Sequence, residues 1–252
     1  MMKRFFAIAL FVLGLGQLYA QPVRDTAWTK AGYFGLKLTQ VSLSSWSAGG
    51  ESALAFDSQI TYSADFKRDR QLWQNRLELG YGLTKNDGKS ARKTNDKIYF
   101  ASTYGYQIYK TLYWSALLNF NTQFAKGYDY NIEDSDFISK FMAPGYLMIG
   151  TGVTWSPNKI FTATFTPASW RGTIVADSRL SDEGAFGVDK GKHLLSEFGA
   201  NLKAEVNYEF LPNMKVYSRL ELYSNYLEDP QNVDVRWEVQ LNMAINKWFS
   251  TT

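Results

Sequence analysis

The segment NVDVRWEVQLNMAINKW (232–248) interleaves two sequences of opposite character. Val233, Val235, Trp237, Val239, Leu241, Met243 and Ile245 are all apolar, whereas Asp234, Arg236, Glu238, Gln240, Asn242, Ala244 and Asn246 are polar apart from one Ala. Successive side chains of a strand point to opposite faces, so this alternation specifies a long strand between two unlike environments. A soluble sandwich satisfies it with the apolar face inward and the polar face in water. A transmembrane barrel satisfies it the other way round, with apolar residues on lipid and polar residues lining the lumen. The alternation alone leaves both open.

The N-terminus narrows the choice. MMKRFFAIALFVLGLGQLYAQ starts with Lys3 and Arg4, continues with an apolar run from Phe5 to Leu15, and ends in small and polar residues. This predicts a secretory signal peptide at 1–20, cleaved after Ala20, and a single β-domain over 21–252. The run falls short of the roughly 18 apolar residues of a spanning helix, and no later run reaches that length. The chain has no Cys, which excludes a lipid anchor on Cys, disulfides and thiolate metal sites. A mean hydropathy of −0.29 reads as soluble, which is also how a barrel reads to a helix-tuned scale. Cleavage after Ala20 would lower the formal net charge of +3 to near neutrality, so nothing points to nucleic acid.

Ten strands and the start of an eleventh are expected, at 31–44, 52–66, 71–85, 95–109, 112–126, 143–156, 159–169, 195–210, 213–227, 232–246 and from 248. Many exceed a globular strand and suit the roughly 9–11 residues that cross a membrane at a tilt. The links alternate in length. KRDR, KT, PNK, LPN and NKW are short, whereas 85–96, 126–142, 171–195 and the moderate 228–232 are longer, with the brief SWSAGG on the long side. Barrels pair tight periplasmic turns with long extracellular loops, a parity that a sandwich has no reason to keep. Trp73, Trp114, Trp155 and Trp248 sit beside short turns, and Trp46 and Trp170 flank links of the other side, as interfacial aromatics do. The reading is an all-β, antiparallel transmembrane barrel with its polar face inside.

WSAGG (46–50), NRLELGYGL (75–83), FISKFMAPGYLMIGTG (137–152), LSDEGAFGV (180–188) and LYSNYLEDPQNVDVRWE (222–238) together resemble the domain of unknown function 3078 (DUF3078) family of secreted barrel proteins of Bacteroidota, over nearly all of the mature chain. The resemblance implies a Gram-negative outer-membrane location and about 12 strands in the complete protein, with 10 to 11 present here and the closing strands missing after KWFSTT. Lipid, lipopolysaccharide and the barrel-assembly machinery are the partners it implies, and it carries over no catalytic residue.

The residues themselves give little chemistry. His193 is the only His, so any Ser–His or Asp–His catalysis must use it; Ser196 and Glu197 lie nearby in sequence, and an exposed loop His is the plainer reading. No enzyme activity, cofactor or metal is expected. EDSD (133–136) lacks the Gly and distal Glu of a calcium loop. The glycines of GYGL and GTGV lie in strands, where they relieve crowding on a curved wall. Eight charges fall on the polar face with mixed sign: Arg76, Glu78, Lys203, Glu205, Arg219, Glu221, Arg236 and Glu238. They read either as a selectivity or substrate surface or, better, as a salt-bridged network, because mixed sign cancels the field of an ion filter. Opposite-charge matching between the last two strands favours the register that sets Arg219 against Glu238 and Glu221 against Arg236. Two function classes follow: a narrow channel, transporter or structural barrel, and a barrel that anchors long surface loops for binding or assembly. A soluble periplasmic β-protein ranks below both.

Overall fold

The computed structural model describes residues 27–43, 50–132, 136–158, 160–244 and 250–251, so the signal-peptide segment, Trp46, Trp248 and most of EDSD lie outside the described residues. Ten long antiparallel strands form one sheet. They are β1 (Trp28–Val41), β2 (Ala53–Arg68), β3 (Gln71–Asn86), β4 (Arg92–Tyr109), β5 (Leu112–Thr122), β8 (Gly145–Trp155), β9 (Phe161–Ile174), β10 (Leu194–Leu211), β11 (Met214–Asn225) and β12 (Val233–Ala244). The short pieces β6 (Gly127–Tyr128) and β7 (Phe137–Ser139) pair with each other, and β13 (Ser250–Thr251) pairs with β12. The remaining elements are helix α1 (Ser178–Glu183) and a 3-10 turn at Ala185–Gly187. Sheet neighbours follow chain order throughout, and β1 and β12–β13 are its two open ends. Among the described residues no helix is long and apolar enough to cross a membrane.

Burial is inverted relative to a water-soluble sheet. The buried strand residues are mostly polar or small, among them Ser115, Thr164, Thr166, Ser169, Glu197 and Asn201. The exposed ones are large and apolar: Trp237 is 71% and Val239 61% accessible, and Phe165, Phe198, Leu202 and Ile149 are exposed as well. Within β10 the two sets alternate, with Phe198 and Leu202 outward and Glu197 and Asn201 inward. The face carrying the polar residues is therefore the less accessible one.

Four strands have an end three or more residues from the sequence reading, the first being β1, which runs over Trp28–Val41 instead of 31–44. β9 continues to Ile174 instead of ending at 169, because a bulge next to Pro167 absorbs the break. Proline lacks an N–H for the ladder and is tolerated in strands at such irregularities. The bulge also changes the face parity, so that Thr162, Thr164 and Thr166 before it and Ser169, Arg171 and Thr173 after it share the inner face. β5 ends at Thr122, and β4 begins at Arg92. The β3–β4 link is thereby reduced to 87–91, no longer than the β8–β9 link at 156–160, so the length alternation rests on the other links.

The two longest links, 123–144 and 175–193, fold against each other. Ala143, Val175, Leu180 and Val188 are buried together, with Phe137, Ala185, Phe186 and Leu195 packed around them. Asp177 caps α1 by accepting from the Leu180 N–H at 3.0 Å, and Gly184 ends it in the left-handed region at φ +74°. The Ala176 N–H donates to Met142 O (2.8 Å), and the Lys140 ammonium reaches Asp177 at 2.5 Å. Arg179 donates to Phe137 O and stacks over its ring at 4.4 Å. This cap stands on the long-link ends of β4, β5, β8, β9 and β10: the Asp96 carboxylate accepts from the Phe124 and Ala125 N–H groups at 2.7 and 2.9 Å.

Candidate functional site

The inner face of β10, β11 and β12 carries a checkerboard of charge. Pairing sets Glu205 opposite Arg219 and Arg219 opposite Glu238; one step along, Lys203 faces Glu221 and Glu221 faces Arg236. Signs thus alternate both along each strand and across the sheet, the arrangement of lowest local repulsion. The expected register between the last two long strands is present. Contacts follow it in part: Arg219 binds Glu238, Lys203 lies 3.3 Å from Glu205, and the Tyr217 hydroxyl donates to Glu205 at 2.9 Å. The Glu221 carboxylate instead accepts from the Asn201 amide at 3.1 Å.

Arg76 and Glu78 on β3 complete the sequence-derived set. Glu78 accepts from Arg76 at 2.5 Å and from Lys97 on β4. The sheet curls so that Arg76, Glu78 and Tyr99 border the same cavity, of about 640 Å³, as Lys203, Glu205, Tyr217, Arg219 and Glu238. Six of the eight predicted charges therefore border one cavity, and Glu221 and Arg236 lie one residue pair further along the same face. Each cation there has a carboxylate neighbour, so the space carries little net field.

A second centre, near the cap, escaped the sequence reading. Arg171 on β9 grips Glu197 on β10 through two bonds of 2.7 Å, reaches Asp234 on β12 at 3.0 Å, and lies over the Tyr223 ring on β11 at 4.0 Å. One guanidinium thus ties four strands, using the planar fork that suits bidentate carboxylates and aromatic faces. The sequence reading ends this strand at 169 and places Arg171 in the 171–195 link, and the bulge that restores the inner-face parity has no clear mark in a single sequence. The wall between these centres and the short turns is hydroxylated: Ser115 donates to Thr154 (2.8 Å), and Thr154 meets Thr164 at 2.9 Å.

In the cap, the Asp177 carboxyl is held below the usual carboxylate range, first by the Lys140 ammonium and then by the Leu180 N–H. His193 places Nδ1 2.7 Å from Val175 O. Ser196 and Glu197 point to opposite faces of β10, Ser196 accepting from the Trp170 indole at 2.6 Å and Glu197 from Arg171. The three residues do not assemble into a catalytic arrangement. Among the described residues no group of three or more His, Asp or Glu side chains is placed to hold a metal ion.

The predicted interfacial aromatics Trp73, Trp114 and Trp155 are exposed on the outer face close to short turns. Trp73 joins Trp28 at 5.7 Å, Trp28 meets Phe66 at 5.3 Å, and Trp155 contacts Phe161 edge-on at 5.6 Å. Trp170 lies within β9 and does not flank a link.

Residues 38–128 match the model of a family described as "Protein of unknown function (DUF3078)". The match runs from the end of β1 through β2–β5 to β6, a shorter reach than nearly the whole mature chain. It covers Arg76, Glu78 and Tyr99 but neither the checkerboard of β10–β12 nor Arg171. No curated protein matches the chain. No solved structure matches it either.

Proposed function

We propose that the protein is an outer-membrane β-barrel that anchors a folded two-loop cap on the extracellular side, for binding or assembly at the cell surface. The inverted burial carries the membrane part of this reading. A wall whose accessible residues are Trp, Phe, Ile, Leu and Val, with polar residues enclosed behind it, suits lipid outside and a polar interior. The Bacteroidota outer membrane is the setting implied by the family resemblance. Export would use the leader at 1–20, and insertion would use the barrel-assembly machinery.

The anchor role rests on where the apolar core lies. The buried apolar cluster is not inside the sheet but between the two longest links, tied by Lys140–Asp177 and Arg179–Phe137. Links that only closed strands would not need a core of their own. Six of the eight interior charges form ion pairs with one another, an arrangement that suits packing better than passage of ions.

A narrow channel is the second reading, favoured by the cavity between β3–β4 and β10–β12. Conductance separates the two. Full-length protein reconstituted in planar bilayers is expected to give no stepwise current, and steady current steps from unmodified protein would replace the anchor with the channel. The membrane reading stands or falls separately, on recovery in the outer-membrane fraction and heat-modifiable gel mobility; recovery in the soluble fraction without detergent would end it.

A further inference from the structure

The outer face of the sheet has a furrow of about 840 Å³ crossing its middle strands. Its floor is a row of small side chains in register: Ala116 on β5, Thr151 on β8 and Ala168 on β9. Bulky rows run on both sides. Leu118, Ile149 and Trp170 form one, and Trp114, Val153 and Phe165 form the other. Trp73 and Tyr104 continue the floor row at its β3–β4 end.

The furrow offers no charge and few free polar groups. The Thr151 hydroxyl donates to Ser115 O at 3.1 Å. The Trp73 indole donates to Ser102 at 2.8 Å, Ser102 in turn donates to Asn75, and the Trp170 indole donates to Ser196. A protein partner crossing a bilayer uses such groups for interhelical hydrogen bonds, and here they are already engaged. Hydrocarbon needs none of them.

The β3 end differs. Gln71 borders the furrow there, directly after the β2–β3 turn, where Arg68, paired with Gln71, and Arg70 are exposed and form no ion pair with another described residue. Cationic groups beside an uncharged slot complement an amphiphile with an anionic head and an apolar tail. From β3 to β9 the floor spans four strand spacings, about 19 Å, which matches one acyl chain slanting through a leaflet of about 15 Å.

We infer that this furrow seats one anionic phospholipid of the leaflet on the short-turn side, its phosphate at Arg68 and Arg70 and an acyl chain over Ala116, Thr151 and Ala168. The inference rests on the membrane reading and deepens it by naming a bound lipid class.

The test is native mass spectrometry of the full-length protein released from detergent after exchange with palmitoyl-oleoyl phosphatidylglycerol or phosphatidylcholine. The unmodified protein is expected to retain one phosphatidylglycerol in preference to phosphatidylcholine. The exposed-turn variant R68Q/R70Q, which leaves the wall intact, is expected to lose about tenfold of that retention. Filling the floor with A116F/A168F is expected to abolish retention of either lipid. Equal retention of the two lipids by the unmodified protein, or unchanged phosphatidylglycerol retention by R68Q/R70Q, overturns the inference. Protease protection in phosphatidylcholine vesicles is read in parallel. A protected protein without lipid preference loses the furrow and keeps the membrane reading, whereas an unprotected one loses both.

Discussion

Arg219 on β11 lies directly opposite Glu238 on β12, and its Nε and Nη2 both donate to the same carboxylate oxygen, Nε at 3.1 Å. The same arginine stands opposite Glu205 on its other side, so it is flanked by an acid on each neighbouring strand. Reversing Arg219 turns attraction into repulsion at three adjacent positions, Glu205, Glu221 and Glu238, and reversing Glu238 does so at two, Arg219 and Arg236, whereas reversing both restores only the Arg219–Glu238 pair.

The charge-swap series therefore has a defined order. E238R and R219E are each expected to unfold at lower urea than the unmodified protein, and R219E/E238R to lose less than the sum of the two single changes. Both side chains are partly open to solvent, and such cross-strand pairs contribute about 0.2–1 kcal/mol, so the coupling belongs in that range. Urea midpoints in a double-mutant cycle measure it; zero coupling would mean that the pair does not hold the register.

This register was legible because few alternatives existed. The two strands had to keep polar faces together, which allows only every second offset, and like charges met in the nearest alternatives. The period-two faces were legible for the same kind of reason: Val233 through Leu241 must all be accommodated on one side. Arg171 was not legible, because a one-residue bulge at Pro167 reverses the faces after it and no periodic signal marks where it occurs. Nor was the cap, whose core draws on Ala143, Val175, Leu180 and Val188 from two separate links. Isolated apolar residues in loops show no period, and only folding brings them together.

The cap should loosen in acid. The Asp177 carboxyl is held below its ordinary range in the folded cap, so it favours folding at pH above the unfolded aspartate value of about 3.9 and loses that contribution as pH falls through its lower folded value. Hydrogen exchange at the Leu180 and Ser181 amides, corrected for intrinsic rates, should show protection falling in that acid window. D177A removes both the helix cap and the Lys140 contact and should lose protection at neutral pH, by about 1 kcal/mol from the cap alone. D177N keeps the cap acceptor, so it should retain part of the protection and lose the acid dependence. An acid response that persists in D177N would assign the effect elsewhere.

Orientation is testable on intact cells. In a sheet whose neighbours follow chain order, links alternate between the two ends, which places 87–91 and 175–193 at one end and 156–160 and 212–213 at the other. Single Cys replacements at Asp87 and Asp182 should react with an impermeant maleimide on whole cells, and those at Asn158 and Asn213 only after permeabilisation. The chain has no Cys of its own to confuse the label. Labelling at Asn158 or Asn213 alone would invert the topology and place the cap in the periplasm.

The bulge gives the sharpest stability contrast. A Cβ on Gly152 would lie 2.0 Å from the Phe165 carbonyl oxygen and 2.6 Å from the Thr166 Cα, so the obstruction is backbone on the neighbouring strand. No rotamer change relieves it; β8 and β9 must separate at the bulge or Gly152 must stay bare. Gly105 also lies on an enclosed stretch of its strand, yet a Cβ there would meet Tyr113 no closer than 3.6 Å, an ordinary contact. G152A is accordingly expected to cost about 1–3 kcal/mol, the range for inserting atoms into a well-packed region. G105A should stay within about 0.5 kcal/mol, or gain slightly because the unfolded chain loses freedom. Urea unfolding of the two variants side by side, refolded into the same vesicles, reads the difference directly. Equal midpoints would mean that β9 does not approach β8 this closely around Pro167, and the inner-face placement of Arg171, which depends on that bulge, would fall with it.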